Sequence, residues 1–228
     1  MNRMRFKAVL LDFYGTVVEE ADRYVAEICS KISCSSEQSA ASVEIAEHWF
    51  KIVPEMCYRA YKAQFRLQND IAVESLQAVL QRYQCNLDCT ALLEPIREYW
   101  ENPKIFPESK SVLARCNLPI CLVSNTDDEY LYRAMRKHHL SFAHVVTSES
   151  CKSYKPRVDI FIRALSVLGA SNKEVLVVGD SYANDVVGAR AASIPVLWIN
   201  RKNRVLGKTD EGPDYVSSDL CGVLEYIA

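Results

Sequence analysis

Two hydrophobic patterns alternate along this chain: short, continuous apolar runs of strand length, and longer amphipathic segments with helical spacing. This alternation predicts a parallel sheet whose strands are connected through helices, because continuous apolar runs suit strands that are buried on both faces. The predicted strands are 7–11, 119–124, 175–179 and 195–199, with a weaker one at 144–147. The predicted helices between them are 109–116, 129–138, 158–168 and 185–192. We therefore expect an α/β fold with a Rossmann-like parallel sheet.

The segment between the first two predicted strands has a different pattern. Residues 17–107 contain no glycine and no convincing strand. Apolar residues follow Asp70 at helical spacing, and an aspartate is a suitable N-cap, so a helix is predicted there. Pro103 marks the return of the chain to the sheet. The expected organisation is a sheet domain of residues 1–16 and 104–228 with an inserted helical domain of residues 17–103.

Composition and charge narrow the class of protein. The 228 residues carry a formal net charge of -2 with scattered lysines and arginines, so no nucleic-acid partner is expected. The first apolar run ends at Asp12, too early for a signal peptide, and no later run approaches a membrane span. Nine cysteines form no C-x-x-C pair, which favours free thiols in a reducing cytoplasm over structural zinc. We expect a cytoplasmic protein; the sequence gives no indication of its oligomeric state.

Polar side chains follow the predicted strands at their carboxyl ends, the edge where an open parallel sheet binds its ligands. They combine a carboxylate able to attack a substrate, hydroxyl and amide groups able to hold anionic oxygens, and a lysine that offsets charge. Two further carboxylates are suited to Mg²⁺, which prefers oxygen ligands. The residues concerned are Asp12, Thr16, Ser124, Asn125, Lys155, Asp180 and Asp185.

These residues belong to segments that recur in a known order. The segments Asp12-x-x-Gly15-Thr16, Ser124-Asn125, Lys155-Pro156 and Gly179-Asp180-x-x-x-x-Asp185 resemble the four sequence motifs of the haloacid dehalogenase superfamily. The inserted helical segment is similar to the cap domain of that superfamily. The resemblance implies a hydrolase that works through a covalent intermediate on an aspartate.

The resemblance implies roles in catalysis and substrate binding for five residues. Asp12 would be the nucleophile, and Lys155 would neutralise its charge. Ser124 and the main-chain amide of Asn125 would bind the transferring group. Thr16 would support the loop after the first strand through hydroxyl and amide hydrogen bonds.

The resemblance also implies a metal site. Asp180, with Asp12 and the main-chain carbonyl of Tyr14, would hold Mg²⁺, and Asp185 would orient a metal-bound water. A transferred phosphoryl group develops charge on its oxygens, and a metal ion, a lysine and amides directed at those oxygens lower the barrier. The substrate expected on this basis is a small phosphorylated molecule.

Two departures from the family patterns keep other activities open. Tyr14 occupies the position where phosphatases of the superfamily carry a second aspartate, which acts as general acid and base. An Asp-x-Tyr-Gly-Thr motif resembles the 2-haloacid dehalogenases, which need no metal, and so does the segment 198–201. Those dehalogenases, however, carry no acidic residue at the position of Asp180. They also follow a cap tryptophan with a substrate-binding arginine, where this chain has Phe50 after Trp49.

Three functions remain open from the sequence. Mg²⁺-dependent hydrolysis of a phosphate monoester is the main prediction, and metal-independent 2-haloacid dehalogenation is the alternative. A non-catalytic binding or regulatory protein on the same fold is the third. The length and the helical insertion argue against a phospho-accepting receiver domain. The lack of a glycine-rich phosphate loop argues against a kinase or a nucleotide-dependent dehydrogenase.

Overall fold

The computed structural model describes residues 6–207 and 211–227. In these ranges the strands form one parallel sheet in the order β3-β2-β1-β4-β5-β6. The strands are β1 Ala8–Leu11, β2 Ile120–Ser124, β3 His144–Thr147, β4 Val175–Gly179, β5 Val196–Ile199 and β6 Tyr215–Ser217. The predicted α/β fold class is confirmed. The sequence does not predict β6, because its three residues alternate between half-buried and exposed positions at the edge of the sheet.

β1 lies between β2 and β4, where the order of the strands along the chain changes direction. Leu11 is paired with Leu122 on one side and with Val178 on the other. The carboxyl ends of these three strands therefore meet at the same edge, which is where open parallel sheets bind their ligands. Asp12, the next residue after β1, lies at this switch point.

The α-helices largely follow the predicted segments. In chain order they are α1 Asp22–Ser35, α2 Ser42–Arg59, α3 Gln68–Arg82, α4 Cys89–Glu101, α5 Ser109–Arg115, α6 Asp128–His138, α7 Ser148–Cys151, α8 Val158–Leu168, α9 Val187–Ala191 and α10 Leu224–Ile227. The predicted helix 185–192 starts differently, since Tyr182–Val186 form a π-helical turn before α9. The N–H groups of Asp185 and Val186 both donate to the carbonyl of Ser181, at 2.8 and 3.3 Å. Single π-helical turns of this kind are frequent at functional sites.

Contacts between residues divide the chain into two compact units. The first contains the strands and comprises the chain up to Glu19, Lys104–Asn125 and the chain from Leu140 onwards. The second comprises Glu20–Pro103 and Thr126–His139, so it includes α6 as well as the four helices of the inserted segment. The domain boundaries predicted from the sequence, at residues 17 and 103, stay a prediction.

The first unit has a closely packed apolar core. Leu10 and Val177 in the central strands, Ile160 and Phe161 in α8, and Trp198 in β5 are all at most 2% exposed. Close packing of this kind fixes the strand ends that carry the polar residues. No helix in the described part of the chain is long and apolar enough to cross a membrane.

The helices of the second unit share a separate core. Trp49 and Ser75 lie within it, and the indole N–H of Trp49 donates to the hydroxyl of Ser75 at 2.9 Å. The hydroxyl of Ser75 in turn donates to the carbonyl of Ala72 at 3.1 Å. Both buried polar groups are therefore hydrogen-bonded, which offsets the cost of burying them.

The N-terminus of α3 is capped by a residue distant in the sequence. The N–H groups of Gln68 and Asn69 donate to the two carboxylate oxygens of Asp127, at 2.7 and 2.9 Å. The expectation that Asp70 caps this helix is wrong, because α3 begins at Gln68 and Asp70 lies in its first turn. A carboxylate at this end also interacts favourably with the helix dipole.

Candidate active site

Asp12 lies at the carboxyl end of β1, and its side chain is largely buried. Its N–H donates to the carbonyl of Val178 at 2.9 Å, which continues the pairing between β1 and β4 by one residue. The hydroxyl of Thr16 donates to Oδ2 of Asp12 at 3.0 Å. Both the backbone and one carboxylate oxygen of Asp12 are therefore held in place.

The loop after Asp12 turns tightly around the carbonyl of Phe13. This carbonyl accepts hydrogen bonds from the N–H groups of Thr16, Val17 and Val18, at 3.3, 2.8 and 3.1 Å. Gly15 adopts a φ of +90°, a conformation that L side chains rarely adopt. A Cβ atom at Gly15 would also lie 2.3 Å from a carboxylate oxygen of Asp180, so only glycine lets the loop approach that closely.

Lys155 connects two carboxylates through one buried ammonium group. Nζ lies 2.6 Å from Oδ1 of Asp12, 2.7 Å from Oδ1 of Asp185 and 3.0 Å from the carbonyl of Val123. An ammonium group has three donors, and each of them has an acceptor here. Burial by itself lowers the pKa of Lys155, but the charges of Asp12 and Asp185 outweigh it and hold the pKa above its usual value.

Asp185 has a partner for each carboxylate oxygen. Oδ1 accepts from Lys155, and Oδ2 accepts from the N–H of Ser181 at 3.0 Å. Burial raises the pKa of Asp185 above its usual range, and the charge of Asp12 adds to this effect while Lys155 opposes it. The π-helical turn that contains Asp185 keeps its carboxylate directed at Lys155 and at the main chain of Ser181.

Three carboxylates come together at this edge of the sheet. One oxygen each of Asp12, Asp180 and Asp185 lies within 4.8 Å of the others. The hydroxyl of Thr16 is 3.5 Å from Oδ1 of Asp180 and also contacts Asp12. An all-oxygen donor set of this kind fits Mg²⁺. Direct binding of a metal ion by Asp12 and Asp180 stays a prediction, and so does the role of Asp185 in orienting a metal-bound water.

Asn125 supports Lys155 through its side chain, a role that the sequence does not predict. Its Oδ1 accepts the N–H of Lys155 at 2.7 Å, and its Nδ2 donates to the carbonyl of Lys155 at 3.2 Å. The carbonyl of Asn125 accepts the hydroxyl of Ser148 at 3.0 Å. Ser124 is buried at the end of β2. Substrate binding by Ser124 and by the amide of Asn125 stays a prediction.

Tyr14 lies in the tight loop and is half-buried. Its ring contacts the ring of Phe13 edge-on, with the centroids 5.1 Å apart. Binding of a metal ion by the carbonyl of Tyr14 stays a prediction. The predicted residues that the structure brings together are Asp12, Thr16, Asn125, Lys155, Asp180 and Asp185.

The comparison with protein families agrees with these motifs. The family model of haloacid dehalogenase-like hydrolases matches residues 6–193. The chain belongs to this family of hydrolases. The resemblance inferred from the motifs is thereby confirmed, and so is the general class of enzyme.

Individual relatives of this hydrolase include dehalogenases and phosphatases. A haloacetate dehalogenase of Moraxella sp. (strain B) is 24% identical over 234 residues, which cover 98% of this chain and 99% of that protein. A phosphoserine phosphatase of Thermus thermophilus is 33% identical over 123 residues, which cover 51% of this chain and 46% of that protein. The crystal structure of an L-2-haloacid dehalogenase superposes with a TM-score of 0.79 at 20% identity, covering 98% of this chain and 99% of that one. The last comparison shows the fold.

Two residues that are not among the predicted site residues support the hydrolase site through hydrogen bonds. The indole N–H of Trp198 donates to the carbonyl of Asp180 at 2.8 Å, so β5 holds the backbone of a candidate metal ligand. The guanidinium of Arg201 donates to the carbonyls of Gly15 and Thr16. A buried tryptophan N–H needs an acceptor, and this requirement could have indicated from the sequence that Trp198 has a hydrogen-bond partner. Both residues lie in or directly after β5, at the same edge of the sheet.

Proposed function

We propose that this hydrolase cleaves phosphate monoesters of a small molecule, with Asp12 as nucleophile and Mg²⁺ held by Asp12 and Asp180. The observation that carries the proposal is the carboxylate of Asp180, one oxygen of which lies within 4.8 Å of oxygens of Asp12 and Asp185. A third carboxylate beside a single lysine adds uncompensated negative charge, and a divalent cation would balance it. The 2-haloacid dehalogenases that the motifs resemble carry no acid at this position.

The first step uses the carboxylate of Asp12. An oxygen of Asp12 attacks phosphorus, a P–O bond forms, and the bond to the ester oxygen breaks. The leaving group departs as an alkoxide or aryloxide and takes a proton from solvent, and an aspartyl phosphate remains. In the second step, water attacks phosphorus and the bond to Asp12 breaks, which releases inorganic phosphate. Lys155 compensates the charge of Asp12 in both steps. Bound Mg²⁺ would supply charge stabilisation to the oxygens of the transferring group.

Tyr14 determines which esters should react readily. A general acid normally protonates the departing alcohol and contributes about 10² to 10⁴ in rate. A phenol is a weaker acid than a carboxyl group, so Tyr14 is a poorer proton donor than the aspartate it replaces. We therefore propose that activated esters with good leaving groups turn over faster than alkyl phosphates.

Hydrolytic dehalogenation of a 2-haloacid is the second candidate. Tyr14 and the similarity to a haloacetate dehalogenase over 98% of this chain favour it. Asp12 would attack the halogen-bearing carbon and expel the halide, and water would then hydrolyse the resulting ester. Against it stand the carboxylate of Asp180 and Phe50, since a phenyl ring cannot bind a substrate carboxylate as a guanidinium does.

One panel of assays separates these functions. Inorganic phosphate release from aryl and alkyl phosphates, and halide release from haloacetate and 2-chloropropionate, are measured with Mg²⁺ and with a chelator. We expect phosphate release that requires Mg²⁺ and no halide release, and both signals should be absent in Asp12→Asn. Halide release that persists with the chelator would replace the phosphatase proposal by the dehalogenase one. Release of neither product would favour a non-catalytic protein.

The same proposal extends to the compartment. All nine cysteines are free, and Cys29, Cys85 and Cys121 are buried. Burial raises the pKa of Cys29 to about 11 and is the main cause that raises the pKa of Cys57 and of Cys121 to about 12. Free thiols persist in a reducing environment, which supports a cytoplasmic location. A small phosphorylated metabolite of that compartment is the proposed class of substrate.

A further inference from the structure

Arg201 binds the loop that follows the candidate nucleophile. Its Nε donates to the carbonyl of Gly15 at 3.3 Å, and its Nη2 donates to the carbonyl of Thr16 at 2.9 Å. Nη2 also donates to the carboxylate of Glu108 at 2.7 Å, and the guanidinium lies 3.6 Å from the ring centroid of Phe106. One planar group therefore contacts two consecutive carbonyls, an acid and an aromatic ring, a combination that suits arginine and not lysine.

We infer that Arg201 is a positioning residue that fixes the backbone of Gly15 and Thr16, and thereby the relative placement of the Asp12 and Asp180 carboxylates. Arg201 contacts neither carboxylate directly in the contacts described above. It acts through the loop, whose next residue is also held: the carbonyl of Val17 accepts from the hydroxyl of Ser109 at 2.7 Å.

The loop transmits a displacement to both acids because it has little free space. The hydroxyl of Thr16 is 3.0 Å from Oδ2 of Asp12 and 3.5 Å from Oδ1 of Asp180. The backbone of Gly15 approaches the Asp180 carboxylate so closely that a Cβ atom there would meet it at 2.3 Å. If Arg201 no longer donates to the carbonyls of Gly15 and Thr16, the loop can shift. The loop then no longer fixes the distance between the carboxylates of Asp12 and Asp180. Supporting residues of metal ligands typically contribute about 10- to 100-fold to affinity or activity.

Glu108 keeps the guanidinium in place. The side chains of Arg201 and Glu108 are only 19% and 18% exposed, so this pair is less screened by solvent than a surface pair. Glu108 also accepts the N–H of Leu220 at 3.5 Å. The two interactions connect the loop to the segments before α5 and after β6, both of which belong to the same unit.

Arg190 provides a matched control. It also donates to a main-chain carbonyl, that of Gly212, at 3.0 Å, and pairs with Asp214 at 3.1 Å. Its partners lie outside the loop of residues 13–18. A purely structural effect of losing an arginine should therefore be similar for Arg190→Met and Arg201→Met, whereas an effect on the acids should occur only for Arg201.

The test compares Arg201→Met, Arg201→Lys and Arg190→Met with the wild type. The activity readout rests on the proposed function; amide hydrogen exchange of residues 13–18 does not. We expect Arg201→Met to lower kcat for an activated phosphate ester by about 10- to 100-fold and to weaken Mg²⁺ binding, with KM changed by less than about threefold. Arg201→Lys should lower kcat by a smaller factor. Amide hydrogen exchange in residues 13–18 should rise only in the Arg201 variants.

The outcomes separate the inference from the proposed function. If Arg201→Met leaves exchange in residues 13–18 at the wild-type level, or if Arg190→Met lowers kcat equally, Arg201 is not a positioning residue. If the wild type hydrolyses no ester, the proposed function fails and the exchange comparison alone decides the inference. Arg201→Lys serves for every readout if Arg201→Met does not fold.

Discussion

Nζ of Lys155 lies 2.6 Å from Oδ1 of Asp12, and both side chains are almost fully buried. The same ammonium is shared with Asp185 at 2.7 Å. Two carboxylates and one lysine leave a net negative charge before Asp180 is added. The site is therefore suited to receive positive charge.

Replacing Lys155 by methionine should destabilise the protein and inactivate it. The change leaves two buried carboxylates without their shared partner, a situation that costs about 3–5 kcal/mol for a buried pair. Urea unfolding measures the loss, and the hydrolysis rate should fall by at least about 10²-fold because charge on Asp12 is no longer compensated. Lys173→Met, at an exposed position, should leave both quantities unchanged. Wild-type stability in Lys155→Met would mean that the pair is not formed in solution.

Asp180→Asn should weaken Mg²⁺ binding. The change removes one anionic ligand and keeps the size of the side chain, so affinity should fall by at least about tenfold, the lower end of what even supporting residues cause. Titration calorimetry on the substrate-free protein measures it, with Asp22→Asn at the exposed start of α1 as control. Equal affinity in the wild type and Asp180→Asn would remove the metal site and strengthen the dehalogenase alternative.

The central strands could be predicted because a strand that is buried on both faces must be apolar at every position. Val175–Gly179 is buried along its whole length, which requires a continuous apolar run. The edge strand Tyr215–Ser217 has no such requirement, and its alternating exposure is indistinguishable from a loop in the sequence. The grouping of the polar residues could be predicted for another reason: parallel strands bring their carboxyl ends together at one edge of the sheet.

Contacts between distant residues could not be predicted in the same way. Asp127 lies 59 residues after Gln68, whose N–H it accepts, and a local capping rule therefore selects Asp70 instead. The two hydrogen bonds between Asn125 and Lys155 span 30 residues and depend on the relative placement of two loops. Periodicity determines which face of an element is buried, but it does not determine which side chain another loop presents to it.

Ser75→Ala should destabilise the helical unit by about 1–3 kcal/mol. The hydroxyl of Ser75 is the acceptor for the buried N–H of Trp49, and its removal leaves that donor without a partner. Urea unfolding of the single variants and of the pair with Trp49→Phe forms a double-mutant cycle. The serine change should cost less in the Trp49→Phe background, where no N–H remains to be satisfied. The same cost in both backgrounds would exclude this hydrogen bond as the cause.

Glu108 should contribute to stability at neutral pH and lose that contribution in acid. Burial alone raises the pKa of Glu108, but hydrogen bonds from its own N–H and from Arg201, with the charge of Arg201, outweigh it and hold the pKa below its usual value. The stabilisation is therefore present above the unfolded pKa of about 4.3 and is lost as the pH falls through the lower folded pKa. Unfolding free energies between about pH 6 and pH 3 should depend less on pH in Glu108→Gln. Glu225→Gln, at an exposed position, should keep the wild-type slope, and an equal slope in both variants would contradict the assignment.

Tyr14 stands where the phosphatases that these motifs resemble carry their general acid and base. If protonation of the leaving group is the missing step, the wild type should form an aspartyl phosphate from an activated aryl ester but turn over alkyl phosphates slowly. Tyr14→Asp should raise alkyl phosphate turnover by up to about 10²-fold, the lower part of the range for general acid catalysis.

The measurement is phosphate release from an alkyl and an aryl ester by the wild type and Tyr14→Asp, with intact-mass detection of the phospho-adduct. Tyr14→Phe is the matched control: it keeps the ring that contacts Phe13 and removes only the hydroxyl, so it should not accelerate either ester. Asp12→Asn should abolish release in every background. The aryl ester should gain much less from Tyr14→Asp, because its leaving group needs no proton. Fast alkyl turnover in the wild type that Tyr14→Phe or Tyr14→Asp slows would instead identify the phenol as the proton donor.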